Sequence, residues 1–313
     1  MKAIKRRFAT SFLALAFLAC GATAYGGGQT GLSTPHKHAA KKFAFLRYVG
    51  EWGGEFSQLY TVRRNGSHLT AVGPPRRYDS ASLSPDDSKI VSAVWQTSPF
   101  GADCAIMNAD GSGFEILAPN TEPAPGCATP SFSSDGRKIV FSMNNDLMMM
   151  NADGTDRVVV LTAGYSYRPT FTHDGKAILA NISGVLYLVS VQGGERTLVS
   201  TLNAADPTFS ADGTKIFFES LVDWTNWPPQ LPTSQLFVMN ADGTNVEQLT
   251  FSGLNTFPVV VGEEVVFASD RSAPSISIYR MRADGAGVRA VTHSPQWDAF
   301  DSGLWWNPDN RGD

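Results

Sequence analysis

Four nearly identical acidic phrases are the first part of this sequence that could do chemistry. Each contains Ala-Asp-Gly after an Asn or Arg, and the acidic residues are Asp110, Asp153, Asp242 and Asp284. Oxygens around an Asp-Gly pair could form a calcium loop of the EF-hand type, which also needs a first oxygen ligand and a closing Glu. Around Asp110, the first position holds Ile106 and the closing position holds Leu117. Too few oxygens remain, so we expect no metal at these turns.

The sequence shows no catalytic signature at the spacing that a common mechanism requires. The segment GYSYR, residues 164–168, approaches the Gly-x-Ser-x-Gly elbow of a serine hydrolase but lacks the second Gly. The five histidines are scattered and do not have the spacing of zinc ligands. A carboxylate pair for glycoside hydrolysis depends on folded geometry, so that chemistry stays open. We therefore expect a protein that is not an enzyme and that holds no metal or cofactor.

Residues 1–24 have the pattern of an export signal. A basic head precedes the apolar run 8–19, which is shorter than the roughly 20 residues of a membrane-spanning helix. Two processing routes fit: cleavage before Tyr25, or lipidation of Cys20 within the lipobox-like FLACG. Both routes predict an exported protein, periplasmic or outer-membrane-associated in a bacterium. A lipid on Cys20 is the only membrane attachment that we expect.

The segment that follows and the net charge restrict the partners. Residues 25–42 are Gly-rich, polar and without periodicity, which predicts a flexible tether. The formal charge of −4 becomes −8 when the four basic residues of segment 1–24 are removed. An acidic exported protein is a poor nucleic-acid binder, so we expect no nucleic acid among its ligands.

Two cysteines remain once Cys20 is set aside. Cys104 and Cys127 form an even pair in an oxidising compartment, which predicts a disulfide. The alternative is two buried free thiols. We expect the bond to join two loops.

The acidic phrases alternate with a second phrase, and together they define the elements that position every other residue. The second phrase places an Asp-Gly turn before a β-branched run, as in PSFSSDGRKIVFS and PTFSADGTKIFFES. Asp-Gly between alternating apolar residues is the strongest short hairpin signal. Its aromatic markers Phe132, Phe171 and Phe209 are 39 and 38 residues apart. Four strands in roughly 40 residues is the period of a β-propeller blade.

Both series of tight turns have six members, which predicts six blades over residues 43–313. The chain opens without an innermost strand and ends with DSGLWWNPD, residues 301–309, which could supply one. Strands from both chain ends would then share one blade and leave no open edge. The predicted fold is all-β: a six-bladed β-propeller of four-stranded antiparallel blades, closed by N- and C-terminal strands in one blade.

The phrases FSADGTKIFF and LFVMNADGTNVEQLT resemble the propeller repeats of the TolB-like family. The resemblance covers the propeller region and implies the fold and a periplasmic location. It implies a binding role less directly. The short Gly-rich lead leaves no room for the α/β domain that precedes the propeller in TolB, so a Tol–Pal role is not implied.

The loops at one end of the predicted propeller are the candidate binding site. Both tight turns of a blade fall at one end, and the long irregular loops fall at the other, which we call the loop face. Irregular loops on a rigid scaffold usually carry function, and Trp, Tyr and Arg are enriched at binding hot spots. The alternative is that these residues pack between blades. The candidates are Trp52, Arg76, Arg77, Trp95, Tyr165, Tyr167, Arg168, Trp224, Trp227, Arg271 and Trp297.

Two functions remain after the sequence analysis. The first is an exported, non-catalytic scaffold whose loop face binds an envelope protein or a surface polysaccharide. The second is a polysaccharide lyase or hydrolase with an active site on the same face, since aromatic platforms suit sugar stacking. We favour the first because function must be argued from a site and no catalytic constellation is visible.

Overall fold

The computed structural model describes residues 42–49, 56–97, 100–119, 126–162, 166, 168–222, 233–272, 275–293 and 298–299. All regular elements in these ranges are β-strands, arranged in six four-stranded antiparallel sheets. No helix long and apolar enough to cross a membrane occurs within these ranges. The predicted all-β, six-bladed propeller is confirmed.

We number the blades 1 to 6 around the ring and give the strands of each in chain order. The first three strands of the chain belong to blade 6, because the last strand of the chain completes that blade. Blade 6 contains β1 (Lys42–Val49), β2 (Phe56–Arg63) and β3 (Thr70–Arg76). Blade 1 contains β4 (Ser82–Leu83), β5 (Lys89–Thr97), β6 (Phe100–Asn108) and β7 (Glu115–Ala118). Blade 2 contains β8 (Cys127–Phe132), β9 (Lys138–Met143), β10 (Asp146–Asn151) and β11 (Val158–Leu161). Blade 3 contains β12 (Thr170–Phe171), β13 (Ala177–Ile182), β14 (Val185–Ser190) and β15 (Arg196–Ser200).

The remaining strands complete the ring. Blade 4 contains β16 (Ala205–Phe209), β17 (Lys215–Val222), β18 (Thr233–Asn240) and β19 (Glu247–Gln248). Blade 5 contains β20 (Asn255–Val261), β21 (Glu264–Ser269), β22 (Ser277–Arg282) and β23 (Arg289–Ala290). The last strand, β24 (Asp298–Ala299), belongs to blade 6.

The ring closes in blade 6, as predicted. Strand β24 pairs antiparallel with β1, with Leu46 opposite Ala299 and Arg47 opposite Asp298. The pairing strand begins before the predicted segment 301–309, which lies outside the described residues. Arg47 also forms two charge-assisted hydrogen bonds with Asp298, Nε to Oδ1 at 2.6 Å and Nη2 to Oδ2 at 3.0 Å. One ion pair therefore links the two ends of the chain.

Buried apolar residues form a cluster at each junction between neighbouring blades. One cluster packs Ile139 and Phe141 of blade 2 against Val91 of blade 1, and another packs Phe267 of blade 5 against Phe217 of blade 4. The same holds at the other junctions. A four-stranded blade cannot bury its faces alone, so the ring is held together by these shared cores.

The predicted disulfide between Cys104 and Cys127 is confirmed, with 5.3 Å between the Cα atoms. Its location differs from the expected link between loops. Cys104 lies within β6 and Cys127 opens β8, and both are buried in the cluster between blades 1 and 2. The bond therefore joins the strands of two adjacent blades.

The glycines of the acidic phrases do more than allow a turn. Gly243 has a φ of +85°, and a Cβ there would lie 2.0 Å from the carbonyl oxygen of Val199 in blade 3. The corresponding Gly194 has its added Cβ 2.4 Å from the Val160 carbonyl oxygen in blade 2. Each of the six outer turns packs in this way on the outer edge of the preceding blade, through Gly66, Gly111, Gly154, Gly194, Gly243 and Gly285. The repeated Gly is therefore a contact between blades.

The polar residues of the acidic phrase form hydrogen bonds within the turn itself. Asp242 Oδ1 accepts hydrogen bonds from the Thr244 backbone N–H at 3.0 Å and from its hydroxyl at 2.6 Å. These bonds hold the pKa of the Asp242 carboxyl below its ordinary value. Asn240 donates to the Thr244 hydroxyl at 2.8 Å and accepts from Lys215 Nζ at 2.6 Å. The phrase is therefore a structural motif whose polar side chains form hydrogen bonds within the hairpin.

Candidate functional site

A repeated backbone irregularity marks the start of four inner strands. The residue that precedes a proline there has a positive φ, of 45° at Thr129, 49° at Arg168, 48° at Asp206 and 56° at Phe257. Residues before proline prefer extended backbone, and non-glycine residues with left-handed backbone cost roughly 1–3 kcal/mol each. We call these four residues together with Glu219 the channel mouth. Strain that recurs at one place in successive blades points to a functional site.

A cavity of about 230 Å³, to which all six blades contribute, adjoins part of the channel mouth. Arg168, Thr129 and the four prolines after the strained residues line it. Its polar surface consists largely of hydroxyls, among them Ser82, Ser131 and Thr208. A cavity lined by all six blades lies on the axis of the ring. The inner strands that surround it begin at the loop face.

Glu219 anchors one side of the channel mouth. It lies in β17, opposite Ala205 of β16. Its Oε2 accepts the Phe257 backbone N–H at 2.7 Å and the Thr256 hydroxyl, so it ties blade 4 to blade 5. Polar side chains at the same position of two other blades form comparable links: Ser142 donates to the Ser166 carbonyl at 2.8 Å, and Asn181 donates to the Ala204 carbonyl at 2.7 Å. Glu219 thus combines a structural role with a charge.

Asp206 is the second carboxyl of the channel mouth and is only 5% exposed. Burial raises its pKa to about 7, the neighbouring Glu219 adds to the shift, and Arg168 opposes it. Burial also raises the pKa of Glu219, but the bonds from Thr256 and Phe257 favour its charged form. The proton near neutral pH therefore belongs to Asp206.

This assignment predicts how stability depends on pH. Because the folded-state pKa of Asp206 is raised from 3.8 to about 7, protonation stabilises the fold. The contribution is complete below about pH 4 and is lost as the pH rises through about 7. In this interval, the free energy of unfolding of the wild type should fall relative to that of Asp206→Asn by about 1.4 kcal/mol per pH unit. Guanidinium unfolding at pH 5, 6, 7 and 8 measures this difference.

Asp174→Asn is the control for this prediction, since Asp174 is exposed and its pKa is lowered by the Thr172 hydroxyl. The free energy of unfolding of Asp174→Asn should not increase relative to that of the wild type as the pH rises from 5 to 7. Parallel pH profiles for wild type and Asp206→Asn would contradict the assignment.

The structure brings together two of the candidates named from the sequence. The Arg77 guanidinium lies over the Trp95 ring at 5.8 Å, and the Trp95 backbone N–H donates to the Arg77 carbonyl at 2.9 Å. Asp79 lies behind them. Burial raises the pKa of Asp79, and the Trp95 indole and the Arg77 charge oppose that shift. Arg77 and Trp95 thus form one cation–π unit on the loop face.

The other described candidates are engaged differently. Arg76 lies over the Phe114 ring at 4.3 Å. Arg271 donates to Asn255 and to the Ser269 hydroxyl and lies between the rings of Phe267 and Tyr279. Arg168 belongs to the channel mouth. The candidates outside the described residues are Trp52, Tyr165, Tyr167, Trp224, Trp227 and Trp297, together with Cys20.

Asp206 and Glu219 were missed in the sequence because neither stands in a recognisable motif. A weak signal was present. The second phrase begins with proline in four units, and the preceding residues differ in chemistry: Thr129, Arg168, Asp206 and Phe257. A repeated proline preceded by a variable residue marks a constant backbone with changing side chains. No group of three or more His, Cys, Asp or Glu side chains suited to a metal occurs within the described ranges.

Comparison with known proteins finds similar solved structures but no similar sequences. No protein-family model and no curated sequence matches the chain. TolB from Acinetobacter baumannii is similar in structure, with a TM-score of 0.66 and 20% identity, over 84% of this chain and 66% of that one. A putative TolB from Agrobacterium tumefaciens matches with a TM-score of 0.59 and 18% identity, over 84% of this chain and 90% of that one.

An enzyme is also among the similar structures. An oligogalacturonate lyase in complex with manganese matches with a TM-score of 0.50 and 16% identity, over 82% of this chain and 74% of that one. At these identities the likeness concerns the fold. The propeller fold expected from the repeats is confirmed, and it is similar to that of the two TolB structures.

Proposed function

We propose that this protein is an exported, non-catalytic TolB-like propeller that binds a protein or a surface polymer of the bacterial cell envelope through its loop face. The Cys104–Cys127 disulfide supports an oxidising compartment outside the cytoplasm. The structural likeness to two TolB proteins supports a propeller scaffold as the working part.

The contrast between the two ends of the propeller carries the proposal. At the tight turns, polar side chains form hydrogen bonds within the turn and glycines pack against the preceding blade. On the loop face, Phe251 is 77% exposed, the most exposed large apolar side chain among the described residues. Leu202, in the connection from blade 3 to blade 4, and Leu221, near the end of β17, are 43% and 47% exposed. Exposed apolar side chains and an Arg–aromatic pair are both typical of recognition surfaces.

Capture from a bacterial envelope fraction tests the proposal. The immobilised mature protein is compared with Leu221→Ser/Phe251→Ser and with Trp224→Ala/Trp227→Ala, the second of which changes two candidates named from the sequence. The matched control is Val159→Ser, which removes an apolar side chain of 51% exposure from an outer strand. We expect a protein or polymer that the wild type and the control retain and that both loop-face variants lose. Equal retention by all four proteins would contradict a role for this surface.

A polysaccharide lyase or hydrolase is the second candidate function. The observation that favours it is the Asp206–Glu219 pair beside Arg168, because a carboxyl with a pKa near 7 is suited to general acid–base catalysis. Incubation with a panel of acidic oligosaccharides tests it. Turnover that falls about a hundredfold in Asp206→Asn would establish this function in place of the first.

A further inference from the structure

We infer that Arg271 and Phe251 on the loop face form a receptor for a carboxylate next to an apolar side chain, supplied by an acidic segment of a protein partner. The inference rests on the proposed binding function, because the carboxylate belongs to the partner. It adds the chemistry of the contact.

The Arg271 side chain is held in place by hydrogen bonds and by two aromatic rings. Its Nε donates to the Ser269 hydroxyl at 3.1 Å, and its Nη2 donates to Asn255 Oδ1. The guanidinium carbon lies 5.2 Å from the centre of the Phe267 ring and 5.1 Å from that of the Tyr279 ring. Much of the rotamer freedom of Arg271 is therefore lost before a ligand binds, which lowers the entropic cost of binding.

A buried polar network supports the residue that holds Arg271. Asn255 is fully buried, and its Nδ2 donates to Gln235 Oε1 at 3.1 Å and to the Ser252 carbonyl at 2.9 Å. Gln235 Oε1 also accepts the Thr250 hydroxyl at 2.7 Å. Both polar atoms of Asn255 are thus used, and a satisfied buried network is rigid. Asn255 Oδ1 is a fixed acceptor for Arg271.

None of the groups that hold Arg271 is a carboxylate. Its side-chain acceptors are a hydroxyl and an amide oxygen, and no acidic residue in the described part of the chain forms an ion pair with it. The adjacent Asp270 directs its Oδ1 to the Leu254 backbone N–H at 2.8 Å. Partial burial lowers the pKa of Arg271, with Tyr279 and Asp270 acting against that shift. Because an arginine stays protonated, its charge is left for an external anion.

One end of the guanidinium fork has no partner among the described residues. The bonds to Ser269 and Asn255 use Nε and Nη2, whereas Nη1 donates to no described residue. The Arg271 side chain is also exposed on the loop face. An edge with two N–H donors in a plane matches the two oxygens of a carboxylate, and such bidentate, charge-assisted pairs are the strong ones.

Phe251 belongs to a connection that the same network fixes. The connection joins blade 4 to blade 5, and the Ser252 and Gly253 carbonyls accept from Asn255 at 2.9 Å and 3.3 Å. The bond from Leu254 to Asp270 ties its end to the loop that carries Arg271. Phe251 is 77% exposed within this fixed connection. An exposed aromatic ring and an ordered Arg are residue types that dominate binding hot spots.

The polar groups of this region favour a protein segment over an acidic sugar. A sugar acid presents several hydroxyls that need hydrogen-bond partners once they are desolvated. The polar side chains of the network are all buried and already hydrogen-bonded: Thr250, Gln235, Asn255 and Ser269. The Arg271 fork and the Phe251 ring remain, and these suit a carboxylate and an apolar side chain.

Titration of the mature protein by nuclear magnetic resonance tests the inference, with the Arg271 Nε–H signal as the readout. The probe is Nα-acetyl-phenylalanyl-aspartate methylamide, and its asparagine analogue has the same shape without the charge. We expect the aspartate peptide to shift the Arg271 signal and to bind at least about tenfold more tightly than the analogue, because it alone forms the charged bidentate pair.

Three variants make the test specific. Arg271→Lys keeps the charge but not the planar fork, and should bind the aspartate peptide at least about fivefold more weakly. Phe251→Ser should bind it about fivefold more weakly and keep the preference for aspartate over asparagine, since it removes only apolar contact. The matched control is Arg289→Gln, which removes an exposed arginine from β23 of the same blade and should bind like the wild type.

The outcomes separate this inference from the proposed function. Equal binding of the two peptides by the wild type, or an unchanged Arg271 signal, overturns the carboxylate receptor whether or not the variants fold. If capture from the envelope fraction succeeds and Arg271→Gln captures equally well, the inference fails while the proposed function stands. Trigalacturonate is a further arm: if it shifts the Arg271 signal at lower concentration than the aspartate peptide, the ligand is a sugar acid and the assignment to a protein partner is overturned.

Discussion

Asp298→Ala should lower the free energy of unfolding by about 4 kcal/mol, the largest effect that we expect from a single substitution. The reason is the charge it leaves behind. Arg47 has a side chain only 14% exposed, lies 4.6 Å over the Tyr60 ring, and loses its carboxylate partner. An arginine cannot discard its proton, so the buried charge stays unpaired. Guanidinium unfolding followed by tryptophan fluorescence measures the loss.

Two further variants make this prediction specific. Lys176→Ala breaks the exposed Lys176–Asp174 pair, 3.7 Å apart, and should change stability by no more than about 0.5 kcal/mol. Arg47→Met/Asp298→Leu removes both charges and should recover most of the loss. Burial raises the pKa of Asp298 despite Arg47, which means that the pair only partly offsets its desolvation. If the double variant were as unstable as Asp298→Ala, the unpaired charge would not be the cause.

Gly243→Ala should lower the free energy of unfolding by about 3 kcal/mol, from backbone strain and overpacking together. The φ of +85° disfavours any side chain, and the new Cβ would lie 2.0 Å from the Val199 carbonyl oxygen in the preceding blade. A backbone oxygen cannot move aside as a flexible side chain can. The outer turn of blade 4 must then separate from blade 3. Equilibrium unfolding of the purified variant measures the effect.

Gly175→Ala separates the two causes. Gly175 also has a positive φ, of +66°, but a Cβ there meets nothing within 4 Å. Its substitution should therefore cost about 1 kcal/mol, from the backbone alone. The difference of about 2 kcal/mol is the contact between blades. Equal losses in the two variants would show that the repeated Gly serves only its own turn.

The position of the strained residues at the channel mouth explains why their unusual backbone recurs. Left-handed backbone before proline turns the side chains of Arg168 and Asp206 to a place where blades 3, 4 and 5 meet. Thr129 accepts the Arg168 backbone N–H at 2.9 Å, which links blade 2 to the same region. The strain is held by bonds between blades, as is common for binding sites built on a rigid scaffold.

The sequence alone was sufficient for the fold, the number of blades and the disulfide. Asp-Gly turns, β-branched runs and a period of about 40 residues are local features, and a repeated local pattern leaves one way to bury its apolar faces. Even so, the partner of each Gly could not be read from sequence. The added Cβ of Gly243 meets Val199, 44 residues earlier, and only the packing of neighbouring blades brings the two together.

The site depended on tertiary structure. Arg77 and Trp95 could be named as residue types suited to binding, but the sequence grouped them with Arg76 and Arg271, which the fold directs to other rings. Asp206 and Glu219 had no motif, because their properties arise from burial and from each other's charge. A local pattern determines strands and turns, whereas burial, proximity of charges and cavities are properties of the closed ring. For that reason the sequence determined the scaffold of this protein, and the chemistry at its channel mouth was decided only when six blades met around one axis.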